Sequence, residues 1–152
     1  MEEIRIYCKN DGNYHKVPAG STLRDLSEEI CRSVTDEKSG EELPVLAALV
    51  DNKLKELEFP IMMSHHIEFI GYNHPGGRRT YTRSLCFVLQ NAVRKLYPDK
   101  TLVIDYSLPS GLYCEIHEQA KPGNGLPQVY FLTDEELESI KATMQEIIDE
   151  SY

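Results

Sequence analysis

A chain of 152 residues, 41% of them hydrophobic and 27% charged, has the composition of one soluble globular domain or two small ones. Its net charge of −9 argues against tight non-specific binding to nucleic acids. No apolar run approaches the roughly 20 residues that a membrane-spanning helix needs. The first residues alternate like a strand and lack the basic and apolar regions of a signal peptide, so we expect a cytoplasmic protein with no membrane partner.

The charge is unevenly distributed along the chain. Residues 1–70 carry eight basic and 14 acidic side chains, and residues 114–152 carry two and nine, whereas residues 71–113 carry six and two. The six basic residues of the middle segment are Arg78, Arg79, Arg83, Arg94, Lys95 and Lys100. They are the candidate binding residues for a nucleotide or structured RNA, although a solvated helix face usually carries a similar number of charges. No DNA partner is expected.

The cysteines and histidines form no metal-binding pattern. The four cysteines stand far apart within apolar segments, which predicts buried, reduced thiols, and no Cys-x-x-Cys pair is present to hold zinc. The five histidines include no pair spaced four residues apart, so no two imidazoles would share one helix face. We therefore predict no metal site.

The N-terminal segment has the pattern of a small sheet with one helix. Residues 3–8 and 14–17 alternate with period two around an Asp11-Gly12 turn, which predicts a hairpin. Ser21 is placed to cap a helix over about 22–34. The inner stripe of that helix comprises Leu23, Leu26, Ile30 and Val34. After a polar loop at 35–43, further strands are predicted over 46–50, 54–57 and 66–70. This order predicts a ubiquitin-like β-grasp arrangement.

Two short motifs in this segment resemble a known family. Val17-Pro18-Ala19-Gly20-Ser21-Thr22-Leu23 precedes the helix, and Leu49-Val50-Asp51-Asn52-Lys53-Leu54 forms a tight turn. Both are similar to the TGS domain, the β-grasp module found at the N-terminus of threonyl-tRNA synthetases, in some GTPases and in stringent-response synthetase/hydrolases. The resemblance covers residues 1–71. The loop at 35–43 is a modest departure from the leaner members of that family.

A glycine and proline cluster at Asn73-His74-Pro75-Gly76-Gly77 predicts a linker. We assign residues 72–79 to it, between a domain at 1–71 and a second unit at 80–152. The cluster is not a phosphate loop, because it lacks the lysine of GxxxxGK[ST] and a strand that feeds through the loop into a helix.

The segment 80–98 predicts the helix around which the second unit is organised. Thr80 or Thr82 is suited to cap its first turn, and Pro98 ends it. Its apolar residues recur at helical spacing, which predicts a buried amphipathic helix, and they are Leu85, Val88, Leu89, Ala92, Val93 and Leu96.

A hairpin and a second helix follow. Strands are predicted at 101–105 and 112–116, and a flexible loop at 118–128. Thr133-Asp134-Glu135-Glu136 is a capping box for a helix that runs to about Glu150. One face of this helix carries Leu137, Ile140, Met144, Ile147 and Ile148. The predicted fold class is α+β, a β-grasp unit followed by a small helix-hairpin-helix unit.

Four motifs of this second unit occur in a familiar order. They are Ala92-Val93-Arg94-Lys95-Leu96-Tyr97-Pro98, Leu102-Val103-Ile104-Asp105, Ser110-Gly111-Leu112-Tyr113-Cys114-Glu115 and Met144-Gln145-Glu146-Ile147-Ile148-Asp149. They resemble the start of the second additional domain of threonyl-tRNA synthetase and its alanyl-type relatives. That family edits mischarged tRNA with a His-x-x-x-His pair on this helix, completed by a Cys and a His far downstream.

The residues that would do this chemistry are replaced. Aligned on Ala92 and Pro98, the two histidine positions are Phe87 and Asn91. A phenyl ring neither binds a metal nor transfers protons, and the downstream Cys and His are also missing from this chain. The resemblance thus implies a lost editing site with no catalytic residue. The remaining ionisable candidates form no recognisable pair, and they are Asp105, Tyr113, Glu115 and His117.

A third resemblance accounts for these replacements. Arg78-Arg79-Thr80-Tyr81-Thr82-Arg83-Ser84-Leu85 with Phe87-Val88-Leu89 is similar to bacterial nucleoside kinases of the uridine-kinase type, in which a TGS-like unit and a degenerate synthetase-like unit precede a P-loop kinase domain. It implies a non-catalytic regulatory, ligand-binding or RNA-binding region, whose partner is the rest of the parent kinase. GxxxxGK[ST] is absent, so no cofactor is expected in this chain, and ATP and Mg²⁺ would belong only to the missing kinase domain.

Two alternatives stay open. The chain could be the N-terminal fragment of a threonyl-tRNA synthetase. It could also be a remnant aminoacyl-tRNA editing domain, in which case deacylation of seryl-tRNA should depend on His117 or Cys114.

Overall fold

The computed structural model describes residues 2–109, 111–119 and 127–150, and it confirms the predicted α+β class. Met1–Arg83 and Ser84–Tyr152 form two compact units. The elements of the first unit are β1 (Glu3–Cys8), β2 (Asn13–Pro18), α1 (Leu23–Ile30), β3 (Ser33–Thr35), β4 (Glu42–Pro44), β5 (Ala47–Val50), β6 (Lys53–Lys55) and β7 (His66–Ile70). Helix α2 (Pro75–Leu96) crosses the division. The second unit continues with β8 (Lys100–Leu108), β9 (Gly111–Glu118), β10 (Val129–Tyr130) and α3 (Asp134–Glu150).

A five-stranded sheet in the order β2-β1-β7-β5-β6 forms the first unit. Strands β1 and β7 pair in parallel at its centre, and the other neighbours are antiparallel. Because side chains alternate across a strand, one face of the sheet buries its apolar residues against Leu23 and Leu26 of α1. The buried sheet residues of this core include Ile6, Cys8, Val17, Ala48, Val50, Ile67 and Phe69.

Helix α1 is shorter than its apolar spacing predicts. Thr22, rather than Ser21, caps the helix, and it forms a reciprocal capping box with Asp25. The helix ends at Ile30, and the predicted helical residue Val34 lies in β3, where it pairs with Leu43 of β4. Cross-strand pairing, instead of a helix face, buries the β-branched Val34. The two ends of the predicted loop at 35–43 therefore belong to the paired strands β3 and β4.

Helix α2 begins earlier than predicted, at Pro75. The imidazole Nδ1 of His74 accepts a 3.0 Å hydrogen bond from the Gly76 backbone N–H, so His74 caps the first turn and neither Thr80 nor Thr82 does. Proline at the first helical position needs no backbone donor. Residues 75–79 of the predicted linker are thus helical, and the assignment of domains to 1–71 and 80–152 stays a prediction.

The second unit pairs a three-stranded antiparallel sheet, β10-β9-β8, with helical residues around a small core. Ala92 and Val93 of α2, Ile116 of β9 and Ile140 of α3 are its buried residues. The hairpin strands are longer than predicted, and β10 was not predicted. The predicted loop at 118–128 includes residues 120–126, which lie outside the described residues.

The apolar residues on which the predicted burial of α2 depends are buried to different degrees within this unit. Leu85 and Leu96 are each 37% exposed, whereas Ala92 and Val93 are buried. The capping box of α3 is confirmed, because Thr133 and Glu136 exchange backbone and side-chain hydrogen bonds of 2.9 and 3.2 Å. Of the helices in the described part of the chain, none combines the length and apolar character of a membrane-spanning segment.

Candidate functional site

Helix α2 carries the two residues, Phe87 and Asn91, that the sequence resemblance aligns with a histidine pair. Phe87 and Asn91 lie one helical turn apart, within the second unit. The ring of Phe87 is 64% exposed and Asn91 is half-buried. An exposed phenyl ring supplies neither a metal ligand nor an acid or base. This helix turn therefore presents an exposed apolar ring at Phe87.

The three arginines near the start of α2 are exposed. Arg78, Arg79 and Arg83 belong to the first unit, and Arg78 Nη1 donates a 3.1 Å hydrogen bond to the carbonyl of Asn73. None of the ion pairs among the described residues involves any of the three. Their charges are therefore accessible to an anionic partner.

The basic residues of the second unit have acidic or helix-end surroundings, unlike the three arginines. Arg94 and Lys95 lie in the last turn of α2, where cations favourably meet the negative end of the helix dipole. Lys95 Nζ lies 3.5 Å from Glu146 Oε2 of α3. Both side chains of this pair are more than half exposed, so it is weak and open to competition by other anions.

Lys100 is the most enclosed of the six candidate residues. Its side chain is 12% exposed, and its ammonium group lies 4.0 Å from the centroid of the Tyr130 ring. Carboxylate oxygens of Glu118 and Asp99 stand 3.7 and 3.9 Å away. Lys100 therefore has a packing role between β8 and β10. Its predicted role in binding stays a prediction.

Three of the ionisable candidates on β9 form a hydrogen-bonded chain. Tyr113 Oη donates to Glu115 Oε1 at 3.0 Å, and Glu115 Oε2 lies 2.7 Å from Nε2 of His117. The hydrogen bond from His117, followed by that from Tyr113, lowers the pKa of Glu115, while the bond to Glu115 raises the pKa of Tyr113. Side chains alternate along a strand, so the sequence alone already places residues 113, 115 and 117 on one face. That spacing is the sequence pattern from which these hydrogen bonds could have been predicted.

Aromatic stacking covers one end of this row of hydrogen bonds. The stacked ring of Tyr106, with its centroid 4.9 Å from that of Tyr113, covers one end, whereas Asp105 is exposed and outside the chain. In the ranges that the structure describes, no three His, Cys, Asp or Glu side chains are grouped as metal ligands would be. The arrangement orients the imidazole of His117 through Glu115.

The cysteines are all reduced. Cys8 is buried, while Cys31, Cys86 and Cys114 are half-buried, so full burial holds for one of the four. Burial raises the pKa of Cys8, Cys31 and Cys114, which keeps these thiols protonated at neutral pH. Cys114 is therefore a poor nucleophile.

An apolar cleft of about 330 Å³ lies inside the second unit. Val93, Leu102, Ile116 and Ile140 line its floor, and Phe131, 85% exposed, stands at its edge. Tyr113 and Glu115 are the members of the hydrogen-bonded chain that reach it. The cleft has the character of an incompletely covered core.

Relatives of this chain share one description. The threonine-tRNA ligase of Acetivibrio thermocellus is 28% identical over 149 residues, which are 98% of this chain and 21% of that ligase. The chain resembles part of a threonine-tRNA ligase. The ligases of Desulforamulus reducens and Clostridium kluyveri are 27% and 26% identical over 97% of this chain and 20% of their own length. No protein-family model matches the chain.

These likenesses favour one of the interpretations of the sequence. The chain spans about a fifth of the length of the curated relatives it matches. The resemblance to threonyl-tRNA synthetases is supported over almost the whole chain, and it favours the alternative interpretation. The interpretation as the front part of a uridine-kinase-type enzyme has no support in these likenesses.

Proposed function

We propose that this chain is a non-catalytic, RNA-contacting region of a threonyl-tRNA-synthetase-like protein, composed of a TGS-like unit and a degenerate editing-domain-like unit. The observation that carries the proposal is the alignment of 98% of the chain with a threonine-tRNA ligase. A likeness that continues through both compact units favours a shared two-unit region over a single borrowed module.

The strand order of the first unit supports its TGS-like part. A central parallel pair, β1 and β7, is flanked by β2 on one side and by β5 and β6 on the other, with a helix after the first hairpin. This order is the one expected of a β-grasp unit and supports the proposal. The motif turn at Asp51 and Asn52 has the left-handed backbone, with φ of 48° and 64°, that such a tight turn needs.

The residues of the second unit support the absence of editing chemistry. Phe87 and Asn91 replace the two imidazoles on α2, and burial raises the pKa of Cys114, which disfavours its nucleophilic thiolate form. His117 is held by Glu115, but it has no neighbouring nucleophile to activate. What remains is a folded unit without the groups that would hydrolyse an ester.

The exposed cations of α2 support the RNA contact. Arg78, Arg79 and Arg83 carry charges that the described residues do not neutralise by ion pairs. Guanidinium groups bind phosphate oxygens with paired hydrogen bonds. Because the whole chain is strongly acidic, we expect this contact to be weak and sensitive to salt.

The binding part of the proposal is tested by titrating fluorescently labelled threonine-specific tRNA into the chain at about 50 mM salt and then at higher salt. The triple variant Arg78→Ala/Arg79→Ala/Arg83→Ala should weaken binding and reduce the salt slope by about 1 for each phosphate group that is no longer bound. A charge-matched control removes Arg32, Lys38 and Lys53, which are exposed elsewhere in the first unit. Equal weakening in both triple variants, or no binding by the parent chain, would overturn the RNA contact.

The catalytic part needs its own assay. Seryl-tRNA incubated with the chain should hydrolyse at the rate seen in buffer alone. Hydrolysis above that rate that disappears in His117→Ala or Cys114→Ala would show that the editing reaction survives on residues other than the lost pair. That result would replace the non-catalytic proposal with a remnant editing enzyme.

A further inference from the structure

The outer face of the five-stranded sheet carries aromatic rings on three neighbouring strands. Tyr14 of β2 stands opposite Tyr7 of β1, with ring centroids 5.0 Å apart. Tyr7 in turn pairs with His66 of β7, whose ring centroid lies 5.3 Å away. These three rings, which we call the ring platform, form a continuous row across strands β2, β1 and β7.

Strand alternation explains why the ring platform faces outward. Ile6, Cys8 and Ile67 are 0% exposed, and each is the chain neighbour of a platform ring. Tyr14 is 58% exposed. Cross-strand aromatic pairs stabilise a sheet, and this accounts for the contact of Tyr7 with Tyr14. It does not account for the charges that surround them.

Two cations stand beside the ring platform in an arrangement that is unfavourable on its own. Arg5 and Lys16 face each other directly across β1 and β2, and like charges in that position repel. The guanidinium carbon of Arg5 lies 4.1 Å from the centroid of the Tyr14 ring. No ion pair among the described residues involves either cation, including with Glu3 on the same strand.

Two acidic groups near the ring platform already have partners, whereas Glu3 of β1 has no ion pair among the described residues. Lys9 Nζ lies 3.1 Å from Glu68 Oε2, and His65 Nδ1 lies 2.6 Å from Asp51 Oδ2. Arg5 and Lys16 are therefore left as cations without a carboxylate partner within the described sheet. The negative total for residues 1–70 does not reveal this, because it adds charges from both ends and both faces of the unit.

A small depression adjoins the rings. It has a volume of about 250 Å³, and its walls are Arg5, Tyr7, Tyr14, Asp51, Ser64, His65 and His66. This is just below the volumes of about 300–1,000 Å³ typical of small-molecule sites, so it suits one planar group rather than an extended ligand. Flat aromatic walls beside a cation are the features that bind an unstacked nucleobase and its phosphate.

We propose that the ring platform binds unpaired RNA, with a base stacked on Tyr14 and Tyr7 and the adjoining phosphates near Arg5 and Lys16. The inference goes beyond the arginines of α2, because it names a second surface that binds by stacking as well as by charge. It rests on the proposed function for the choice of RNA over DNA. Phosphate contacts alone would not require the rings, and stacking alone would not require two facing cations.

The test uses the full chain and a labelled oligoadenylate RNA of about eight nucleotides, a length typical of single-strand binding surfaces. Fluorescence anisotropy at about 50 mM salt measures the affinity. Tyr14→Ala should weaken binding about tenfold, the loss expected for one base stacked on one ring. Tyr14→Phe keeps the ring and should bind like the parent chain.

A matched control tests whether the removal of any exposed tyrosine weakens binding. Tyr72 is 48% exposed in the same unit, in a pair with Tyr81 and away from the sheet rings. Tyr72→Ala should leave oligoadenylate binding unchanged. Circular dichroism of each variant verifies folding, and because Tyr14 is exposed, its replacement should leave the fold intact. Arg5→Gln is a second variant that keeps every ring and should also weaken binding.

The outcomes separate this inference from the proposed function. No oligoadenylate binding, unchanged binding in Tyr14→Ala, or equal weakening by Tyr72→Ala would overturn the ring platform, even if tRNA binding through Arg78, Arg79 and Arg83 persists. Equal affinity for an RNA duplex would also overturn it, because a duplex offers no unstacked base. Equal affinity for the corresponding DNA oligonucleotide would overturn the choice of RNA, which rests on the proposed function. Selective loss in Tyr14→Ala with retention in the triple arginine variant would support the ring platform whether or not tRNA binds α2.

Discussion

Gly77 packs so closely on Gly71 that a β-carbon at Gly77 would overlap the Gly71 carbonyl oxygen. Gly71 directly follows β7, and Gly77 lies in the first turn of α2. Both residues are buried. The contact holds the start of the helix against the end of the central strand pair within the first unit, and only glycine leaves space for the two backbones.

Gly77→Ala should therefore destabilise the first unit. The clash is with backbone, which cannot rotate aside as a long side chain could, so we expect the free energy of unfolding to fall by about 1–3 kcal/mol. Urea denaturation followed by circular dichroism measures the change. Gly111→Ala is the control, because a β-carbon there meets nothing within 4 Å, and it should change stability by less than about 0.5 kcal/mol. Similar losses in the two variants would contradict the close-packing role.

Ile140 supplies the second prediction, on the core of the second unit. Its side chain is 2% exposed and belongs to the small cluster with Ala92, Val93 and Ile116. Ile140→Ala should lower the free energy of unfolding by about 2–5 kcal/mol, since it removes buried methyl groups and leaves a cavity. Leu137 lies one turn earlier on the same helix but is 42% exposed, so Leu137→Ala should cost less than half as much. Thermal denaturation of both variants tests the difference.

Local signals were enough to predict most of the first unit. The alternation of residues 3–8 and the Asp11-Gly12 turn specify a hairpin, and the hairpin register follows from the turn. Val34 shows where such signals fail. Its spacing from Ile30 fits a helix as well as a strand, and only pairing with Leu43, which periodicity does not reveal, decides between them.

The prediction of where α2 starts was wrong for a different reason. Two glycines after a proline have poor helix propensity, so Gly76 and Gly77 predict a linker. In the structure the packing of Gly77 on Gly71 overrides that propensity, and His74 caps the turn. A close backbone contact between residues six apart leaves no periodic trace in the sequence.

The candidate site was predictable as a set of residues but not as a set of contacts. The exposed arginines of α2 stood out by charge, whereas Lys100 looked equivalent to them until its position beside Tyr130 became clear. The ring platform depends on the pairing of β1 with β7, and that pairing brings together residues nearly 60 apart in the chain. Sequence alternation gives the outward face of each strand but not its neighbours.

The hydrogen bond from Tyr130 to Glu136 gives a prediction at alkaline pH. The 2.6 Å bond to the Glu136 carboxylate, with smaller contributions from desolvation and charge, raises the pKa of Tyr130 from 10.0 to about 12. A pKa raised on folding stabilises the folded state fully below the unfolded value, and that contribution is lost as the pH rises from about 10 to about 12. Stability should therefore decline across this interval.

Glu136→Gln tests the cause of that shift. The variant removes the carboxylate charge, so the last step of the tyrosinate absorbance titration should move to lower pH. Tyr130→Phe is the control, because it deletes the titrating group and should remove that step altogether. Superimposable titrations of Glu136→Gln and the parent chain would show that Glu136 does not set the pKa of Tyr130.

Asp51 gives the corresponding prediction at acidic pH. Its carboxylate accepts a 2.9 Å hydrogen bond from the His66 backbone N–H and pairs with His65, and these contacts lower its pKa below the ordinary 3.8. A lowered folded pKa stabilises the protein above 3.8, and the contribution is lost as the pH falls through the depressed value.

Asp51→Asn removes the charge while keeping a residue that tolerates the left-handed φ of 48°. The variant should melt at a lower temperature than the parent chain at neutral pH, and the gap should close in acid, because protonation then removes the charge from the parent chain too. Melting curves that stay equally far apart at every pH would show that the carboxylate charge of Asp51 does not stabilise this turn.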